Sequence, residues 1–482
     1  MCGAGLAALG LDASERIGTF GTNSKDLMIT MQKPEIEAEL RGLGLTVMTM
    51  DALERMGEQK PMPSARARRG DLCTIMYTSG STGTPKGVKL THGAVLSCVA
   101  AQLHSFRTKS EKYGAEFTHE NVMLSFLPLA HIMDRVIEEA FLANGCAIGY
   151  WRGDVKVLGD DIEALKPTFF VGVPRVFDRV RDKALNTVSK RGTISQAVFN
   201  WAHDHKLSQM DSGLLWEKAS PVGDWLVWHK VAARLGGRVQ LVASGSAPLA
   251  PETRNFLRVA MCAPVIEGYG LTETCGASFT AEPTVTAVGT VGHPLPCLDF
   301  CLAAVPEMEY DPMIFPPRGE VLIRGPVLFS GYYKDDAATA QVMDEEGFFH
   351  TGDIGEMDIF GQLKIIDRKK SLFKLSQGEY ISPEYIESIL ITAPAVEQIF
   401  INAAGDAAKL KGFQKVKGVM LESRPFTVEN GLITPTFKLK RTALRNHYAE
   451  RIEQIYQVLK THPPAHQAGS DDAPKSTLCT VQ

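Results

Sequence analysis

The stretch Tyr77-Thr-Ser-Gly-Ser-Thr-Gly-Thr-Pro-Lys-Gly87 gathers small and hydroxylated residues around one cation. Thr78, Ser79, Gly80, Ser81, Thr82, Gly83 and Thr84 offer backbone N–H groups and hydroxyls, and Lys86 adds a positive charge. That chemistry suits a polyphosphate. The spacing excludes a Walker loop, G-x-x-x-x-G-K-S/T, because the count from Gly80 reaches Pro85 and the count from Gly83 reaches Val88. A Gly/Ser-rich stretch also serves as a flexible turn, so its neighbours decide.

Four further stretches carry groups that could act on a ligand. They are Ser244-Gly-Ser-Ala-Pro-Leu249, Gly268-Tyr-Gly-Leu-Thr-Glu273, His350-Thr-Gly-Asp353, and Asn430 to Arg441 with its cluster of lysines. Each alone reads equally well as a turn or a solvated face. His203 and His205 are spaced like metal ligands, but without partners they read as an exposed helix face.

These side chains need elements to hold them. Leu72–Tyr77 and Lys86–Leu90 read as strands flanking the loop, and Thr91 as the cap of a helix with Val95, Leu96, Val99 and Leu103 at apolar positions. Asn121–Leu127, Thr168–Val171, Val239–Val242 and Pro264–Glu267 read as further strands, with a helical run from Ile132 to Leu142. The alternation predicts an α/β fold with a largely parallel sheet, whose ligands sit at the carboxyl ends of strands. The loop at 78–87 is then expected to end a sheet strand, SGSAPL and GYGLTE to follow strands, and HTGD to precede one. Composition changes at Asp367-Arg-Lys-Lys370, after a strand at Leu363–Ile366. The expected organisation is a large domain over 1–366, a small domain over 367–461 and a disordered tail over 462–482.

The length of 482 residues suggests two or three domains, and 44% hydrophobic with 22% charged residues is ordinary for a globular enzyme. A net charge of −4 gives no basic surplus for nucleic acid. Nine cysteines without a C-x-x-C pair point to reduced thiols rather than a disulfide frame or a zinc cluster. The opening residues lack a basic leader, and no stretch has the length and apolarity of a membrane span. The expectation is an intracellular protein, cytoplasmic or peripheral on the endoplasmic reticulum or another organelle. The last residues, Thr480-Val-Gln482, are not an S-K-L signal.

Taken in order, the glycine-rich loop, SGSAPL, GYGLTE, HTGD and TPTFKLKR at 434–441 resemble the acyl-adenylate-forming enzymes. Residues 121–137 (NVMLSFLPLAHIMDRVI), 167–179 (PTFFVGVPRVFDR) and 348–384 are similar to long-chain fatty acid–CoA ligases in particular. The resemblance implies a large adenylate-forming domain with parallel and mixed sheets and helices, plus a small mobile α+β domain. It implies ATP, magnesium and coenzyme A, and a two-step reaction on a long-chain fatty acid. The carboxylate attacks the α-phosphorus of ATP, giving acyl-AMP and pyrophosphate; the CoA thiol then attacks the acyl carbon and expels AMP. An aryl or medium-chain acid is the alternative substrate, and a catalytically impaired ATP-binding remnant the alternative of another class.

The same resemblance assigns roles. The loop from Thr78 to Lys86 is expected to wrap the β- and γ-phosphates. Glu273 is the expected magnesium ligand, with Thr78 a second candidate; a carboxylate satisfying a helix N-terminus is the plainer reading. Tyr269 is expected to stack on adenine, Gly268 to leave room for the ring, and Gly245 and Ser246 to form the other side of the slot. Glu267 and Thr272 join the ATP-binding set. Asp353 is expected to accept from the ribose hydroxyls, with Arg368 and Lys370 nearby. Lys438 matches the catalytic lysine that bridges carboxylate and phosphate, a task for a compact point charge. His131 in PLAHI is expected to gate the acyl site. Asp367 matches the hinge, and Lys374, Gly378 and Tyr380 the face used with CoA.

The match is discontinuous. Residues 9–32 look like an early segment of such ligases, and at Gln32-Lys33 the resemblance jumps to a later one. The portion usual before residue 9 is not matched. A second jump falls between about Phe400 and Gly412. An alternative transcript or an imperfect gene assembly, and reduced activity of the chain as written, are the expectations from these jumps.

Overall fold

The computed structural model describes residues 50–61, 66–78, 85–112, 117–154, 157–282 and 289–369, and then 373–374, 380–381, 386–387, 390, 396, 398–401, 419–428, 430–434 and 439–461. The glycine-rich connection is too short for a crossover between parallel strands, so the chain doubles back. β1 (Leu72–Thr78) and β2 (Lys86–Thr91) pair antiparallel as a separate two-stranded sheet, ending with Thr78 opposite Lys86. The expectation that this loop ends a strand of the parallel sheet is therefore corrected. α1 (His92–Lys112) starts where expected, the Ala94 N–H donating to Thr91 Oγ1 at 3.1 Å. Its buried face uses Val95, Cys98 and Val99, whereas Leu96 is exposed.

All the strands from Val122 to Arg368 form one eleven-stranded sheet. β3 (Val122–Ser125), β4 (Ala147–Tyr150), β5 (Phe169–Gly172), β6 (Leu241–Ser244) and β7 (Val265–Leu271) are parallel, in the spatial order β4-β3-β5-β6-β7. Successive side chains in a strand point to opposite faces, so a doubly covered strand needs apolar residues on both. Met123, Phe169, Val171, Leu241 and Ile266 share one core with Phe106 of α1 and with Ile137 and Phe141 of α2 (Ile132–Ala143). Leu124, Phe170, Val242 and Val265 fall in the other. There they meet α3 (Leu158–Leu165), α4 (Pro174–Ser189), α5 (Thr193–Asp211) and α6 (Pro251–Ala260). Each large side chain buried this way contributes roughly 1.5–3 kcal/mol. Because β4 and β5 flank β3 on opposite sides, the strand order reverses there. The loops leaving β3 and β5 diverge to opposite faces and open a crevice at their carboxyl ends.

The sheet is largely parallel only as far as β7. β8 (Gly276–Thr280), β9 (Thr290–Pro294), β10 (Asp299–Ala303), β11 (Arg318–Arg324), β12 (Phe349–Met357) and β13 (Leu363–Arg368) continue it antiparallel, in the order β7-β8-β9-β13-β12-β11-β10. Short connections such as Thr272–Cys275 and Asp358–Gln362 admit hairpins and no crossover helix. Two expected positions shift accordingly. Gly268-Tyr-Gly-Leu271 lies within β7 and does not follow it, and His350-Thr-Gly-Asp353 lies within β12 and does not precede it. At Gly270 a Cβ atom would lie 1.6 Å from the Gly276 carbonyl oxygen, so the close pairing of β7 with β8 requires glycine.

Asp367 and Arg368 run on in β13, opposite Ile354 and Asp353. Beyond them β14 (Phe373–Lys374) pairs with β15 (Tyr380–Ile381), Lys374 opposite Tyr380. α7 (Arg441–His447) and α8 (Ala449–Thr461) lie in a core of their own with Leu432, Leu444, Tyr448 and Phe400. Ser79 to Thr84, Lys370, Gly378, Lys438, the junction at Gln32, most of the 400–412 segment and the 462–482 tail lie outside the described residues. Among the described residues, no helix is long and apolar enough to cross a membrane.

Candidate functional site

Three groups of expected residues converge. In the first, the Tyr269 hydroxyl donates to Asp353 Oδ2 at 2.7 Å, and Arg368 Nε lies 3.3 Å from Asp353 Oδ1. Asp353 is 3% exposed, so a charged carboxylate there needs such partners. Burial, and then the Asp353 carboxylate, push the Tyr269 hydroxyl well above its ordinary range, which keeps it a donor. Tyr269 and Asp353 sit four strand steps apart along the sheet. In a flat sheet that is about 19 Å, far beyond one side chain. The sheet curls over instead, with register shifts at Tyr269/Gly270, Leu363/Lys364 and Ile354/Gly355 along the way. Such bulges sharpen twist and re-aim side chains.

The second group holds the hairpin. Glu273 lies in the β7–β8 turn with Thr272, and its carbonyl accepts from the Phe329 N–H at 2.8 Å. The Tyr332 hydroxyl donates to Glu273 Oε1 at 2.8 Å, and Lys86 Nζ stands 4.8 Å from the centre of the Tyr332 ring. Val88 bridges to Tyr332, and the Tyr333 N–H donates to the Gly87 carbonyl at 2.6 Å. The base of the glycine-rich hairpin is thus fastened to the Glu273 turn. A pocket of about 370 Å³ opens between the hairpin base and the Tyr332–Asp335 segment, lined by Tyr77, Pro85, Lys86, Gly87, Tyr332, Tyr333 and Asp335. Burial and the Glu273 carboxylate push the Tyr332 hydroxyl well up, so it too remains a donor.

The third group lies at the carboxyl ends of β3, β6 and β7. After β6 the chain turns through Gly245 and Ser246, the latter at φ +73, a left-handed conformation costly for serine. A Cβ at Gly245 would lie 2.9 Å from Met133 Sδ, and Ser246 Oγ is 3.6 Å from the same sulfur. Met133 opens α2, and His131 caps that helix, its Nδ1 accepting from the Met133 N–H at 3.3 Å. The capping puts His131 on the connection that leaves β3, two residues before the Met133 that packs on the SGSAPL turn. Asp134, one residue on, is buried and accepts from Ser125 Oγ at 3.2 Å. Burial first, then the Glu138 carboxylate, push Asp134 up to about 8. Glu267 turns its carboxylate to Arg254, Nε to Oε1 at 3.1 Å, and burial pushes it up to about 7 against that attraction.

Residues 34–333 match the AMP-binding enzyme family. Long chain acyl-CoA synthetase 3 of Arabidopsis thaliana is 41% identical over 473 residues, 88% of this chain and 70% of the plant protein. Long chain acyl-CoA synthetase 4 of the same plant is 40% identical, covering 92% of this chain and 72% of its own length. This chain belongs to the long-chain acyl-CoA synthetase family. The reaction of that family activates a fatty acid to acyl-CoA through acyl-AMP. The adenylate-forming α/β fold is shared with the adenylation domain of a carboxylate reductase from Mycobacterium chelonae. The two are 28% identical at a TM-score of 0.66, over 88% of this chain and 66% of that one.

In this long-chain acyl-CoA synthetase family member, a magnesium ion at the hairpin would draw on the Glu273 carboxylate, an oxygen donor of the kind that ion takes. Glu273 supplies a hard, partly exposed oxygen, and Thr78 stands at the hairpin end. Among the described residues no group of three or more acidic, His or Cys side chains gathers that could hold a metal ion. The two histidines spaced like metal ligands have separate partners: His203 Nδ1 is 3.0 Å from Asp204 and His205 Nδ1 is 3.1 Å from Ser220. Sequence reasoning missed Tyr332, Arg254 and Met133. Tyr332 lies 59 positions from Glu273, and its only local sign is the Gly331-Tyr-Tyr stretch. Nearer the C-terminus, Arg441 forms a paired contact with Glu387 at 2.6 and 3.1 Å, and Ile433 bridges to Leu439. These anchor both flanks of the segment that carries Lys438.

Proposed function

We propose that this chain joins long-chain fatty acids to coenzyme A in two steps, with the residues above in the following roles. The observation that carries the reading is the Tyr269–Asp353–Arg368 cluster, where an aromatic face and a buried acceptor meet at one point. Asp353 accepts from the ribose hydroxyls with Arg368 holding its other oxygen. Tyr269 walls the adenine on the side of Gly268, and Gly245 and Ser246 wall it on the other. Arg254 and Glu267 brace that slot from behind.

The first step brings a carboxylate to a triphosphate, and the two repel. Catalysis therefore needs fixed donors and cations where charge moves onto pyrophosphate. Thr78, Lys86 and the loop between them receive the β- and γ-phosphates. A magnesium ion held by Glu273, with Thr78 as second candidate, would offset phosphate charge, and Tyr332 fixes the Glu273 carboxylate for it. Lys438 supplies the charge that bridges carboxylate and α-phosphate. The acyl carboxylate sits beside His131 at the β3–β5 crevice. In the second step the small domain turns about Asp367, and the Lys374, Gly378 and Tyr380 face admits the CoA arm. The thiol then adds to the acyl carbon and AMP leaves.

Thioester formation from palmitate, ATP and CoA tests the reading; turnover of an aryl acid alone would defeat it. The jumps at Gln32 and after Phe400 favour a second reading, an ATP-binding protein with a weak ligase step. ATP binding without thioester would select it.

A further inference from the structure

The chain is fastened to the sheet at the first residue beyond β13, where the proposed turning would have to free it. Lys369 follows Arg368, the last residue of β13, and its N–H donates to the Gly352 carbonyl of β12 at 2.8 Å. Its Nζ lies 2.9 Å from Glu307 Oε1, in the short turn Pro306–Met308 after β10. The same Nζ is 3.7 Å from Glu320 Oε2 in β11. β13, β12, β11 and β10 are successive neighbours, so one side chain reaches outward across the edge half of the sheet. Three separate elements thus hold a single residue.

The two acceptors differ in kind. Glu320 has a side chain only 13% exposed, and its Oε1 accepts from the Gly352 N–H at 3.1 Å and stands 3.9 Å from His350 Nδ1. Its position is therefore set by the sheet, and salt screens it less than a surface carboxylate. Glu307 is exposed, and Lys369 is the first cause that holds its carboxyl below the usual range. Glu307 in turn is the first cause that holds the Lys369 ammonium above its own. Turning at Asp367 would swing every residue after it, while Glu307, Glu320 and Gly352 stay with the sheet. The backbone cannot turn there with these contacts intact.

We propose that Lys369, with Glu307 and Glu320, is a latch that holds the chain beyond β13 in one of two orientations and so sets the balance between the two half-reactions. This rests on the turning at Asp367 given under the proposed function; the latch is what resists that turning. Lys369 touches no reacting atom and acts as a positioning residue. Partly exposed ion pairs are weak, so each is expected to bias the ratio of the two orientations by about two- to fivefold. A bias of that size suits a movement that must reverse in every turnover, since a much tighter latch would trap one orientation.

The test measures acyl-AMP formation, and thioester formation from supplied acyl-AMP, separately on the full chain. Glu307→Gln and Lys369→Gln are each expected to shift the ratio of the two rates by about two- to fivefold, in the same direction. Lys369→Arg keeps the parental ratio, and adding Glu307→Gln to Lys369→Gln shifts it no further. Trypsin cutting after Arg368 and Lys369 reads the latch without catalysis. Glu307→Gln leaves both cutting sites in place and should speed the cut by a similar factor, because cleavage follows the population of the freed chain. Equal cutting of the parent and Glu307→Gln overturns the proposal. So does a variant that slows both half-reactions alike, the mark of a merely structural contact. Faster cutting of Glu307→Gln, in a chain that forms no acyl-AMP from any fatty acid, keeps the latch and defeats the ligase reading instead.

Discussion

Replacing Asp134 by asparagine tests how the helix behind the acyl crevice is held. Asp134 is 2% exposed, accepts from Ser125 and is pushed up to about 8 from an ordinary 3.8 by burial and by Glu138. The folded state thus binds the proton more tightly than the unfolded chain does between those two values. Stability from this group is fully present below about pH 4 and is lost as pH rises through about 8, at about 1.36 kcal/mol per pH unit within the window. Asparagine has no proton to lose. Across two pH units inside the window, the stability of the parent relative to Asp134→Asn should therefore fall by about 2.7 kcal/mol. Urea unfolding of both proteins at the two pH values measures it. A difference between them that does not change with pH would refute the assignment of a neutral, buried acid at this position.

Lys438→Ala should slow formation of acyl-AMP by on the order of 100-fold or more, and thioester formation from supplied acyl-AMP far less; equal slowing of both half-reactions in rapid-quench experiments contradicts its role. Asp353→Ala removes the acceptor of Tyr269 and Arg368 and should weaken AMP binding by on the order of tenfold to hundredfold in calorimetry. Tyr332→Phe deletes the donor to Glu273, about 1 kcal/mol of positioning. It should raise the magnesium concentration needed for half-maximal activity, and an unchanged magnesium dependence counts against the Glu273 assignment. Restoring the segments skipped at Gln32 and after Phe400 should raise the thioester yield per folded molecule, since a misplacement of about 1 Å at a reacting group costs roughly 100-fold; equal yields would show them dispensable.

The strand positions were legible because each core strand is a short apolar run, and the start of α1 because Thr91 caps it. The motif residues were legible through their resemblance to a family, and the structure brings Tyr269, Asp353 and Arg368 into contact. The hairpin direction of β1 and β2 was also within reach, because a connection of that length cannot cross over. It was misread by fitting every strand to one parallel sheet. Periodicity cannot show which strand lies beside which, so the antiparallel half was hidden. Tyr332 and Arg254 were hidden for a related reason. Each meets its partner only after the sheet has curled or a helix has packed, and nothing near them in the chain marks it.

The curl has a consequence for how the protein tolerates change. Tyr269 and Asp353 touch across a concave surface, yet their relative position is transmitted through the pairing of β7 with β8, β8 with β9, β9 with β13 and β13 with β12. That is a dimension chain, in which each link adds its own error to the last. A slip of one residue at any link turns the next strand's side chains to the opposite face. The β13–β9 link, with Leu363 opposite Gly292 and Lys364 opposite Thr290, and the β8–β9 link, with Phe279 opposite Pro294 and Thr280 opposite His293, have the least material to resist a slip. Insertions or deletions in these strands should then be felt at the nucleotide corner even when they fall far from it. Changes of the same size at Met313–Phe315, the exposed tip of the 306–317 connection and outside those links, should pass unnoticed.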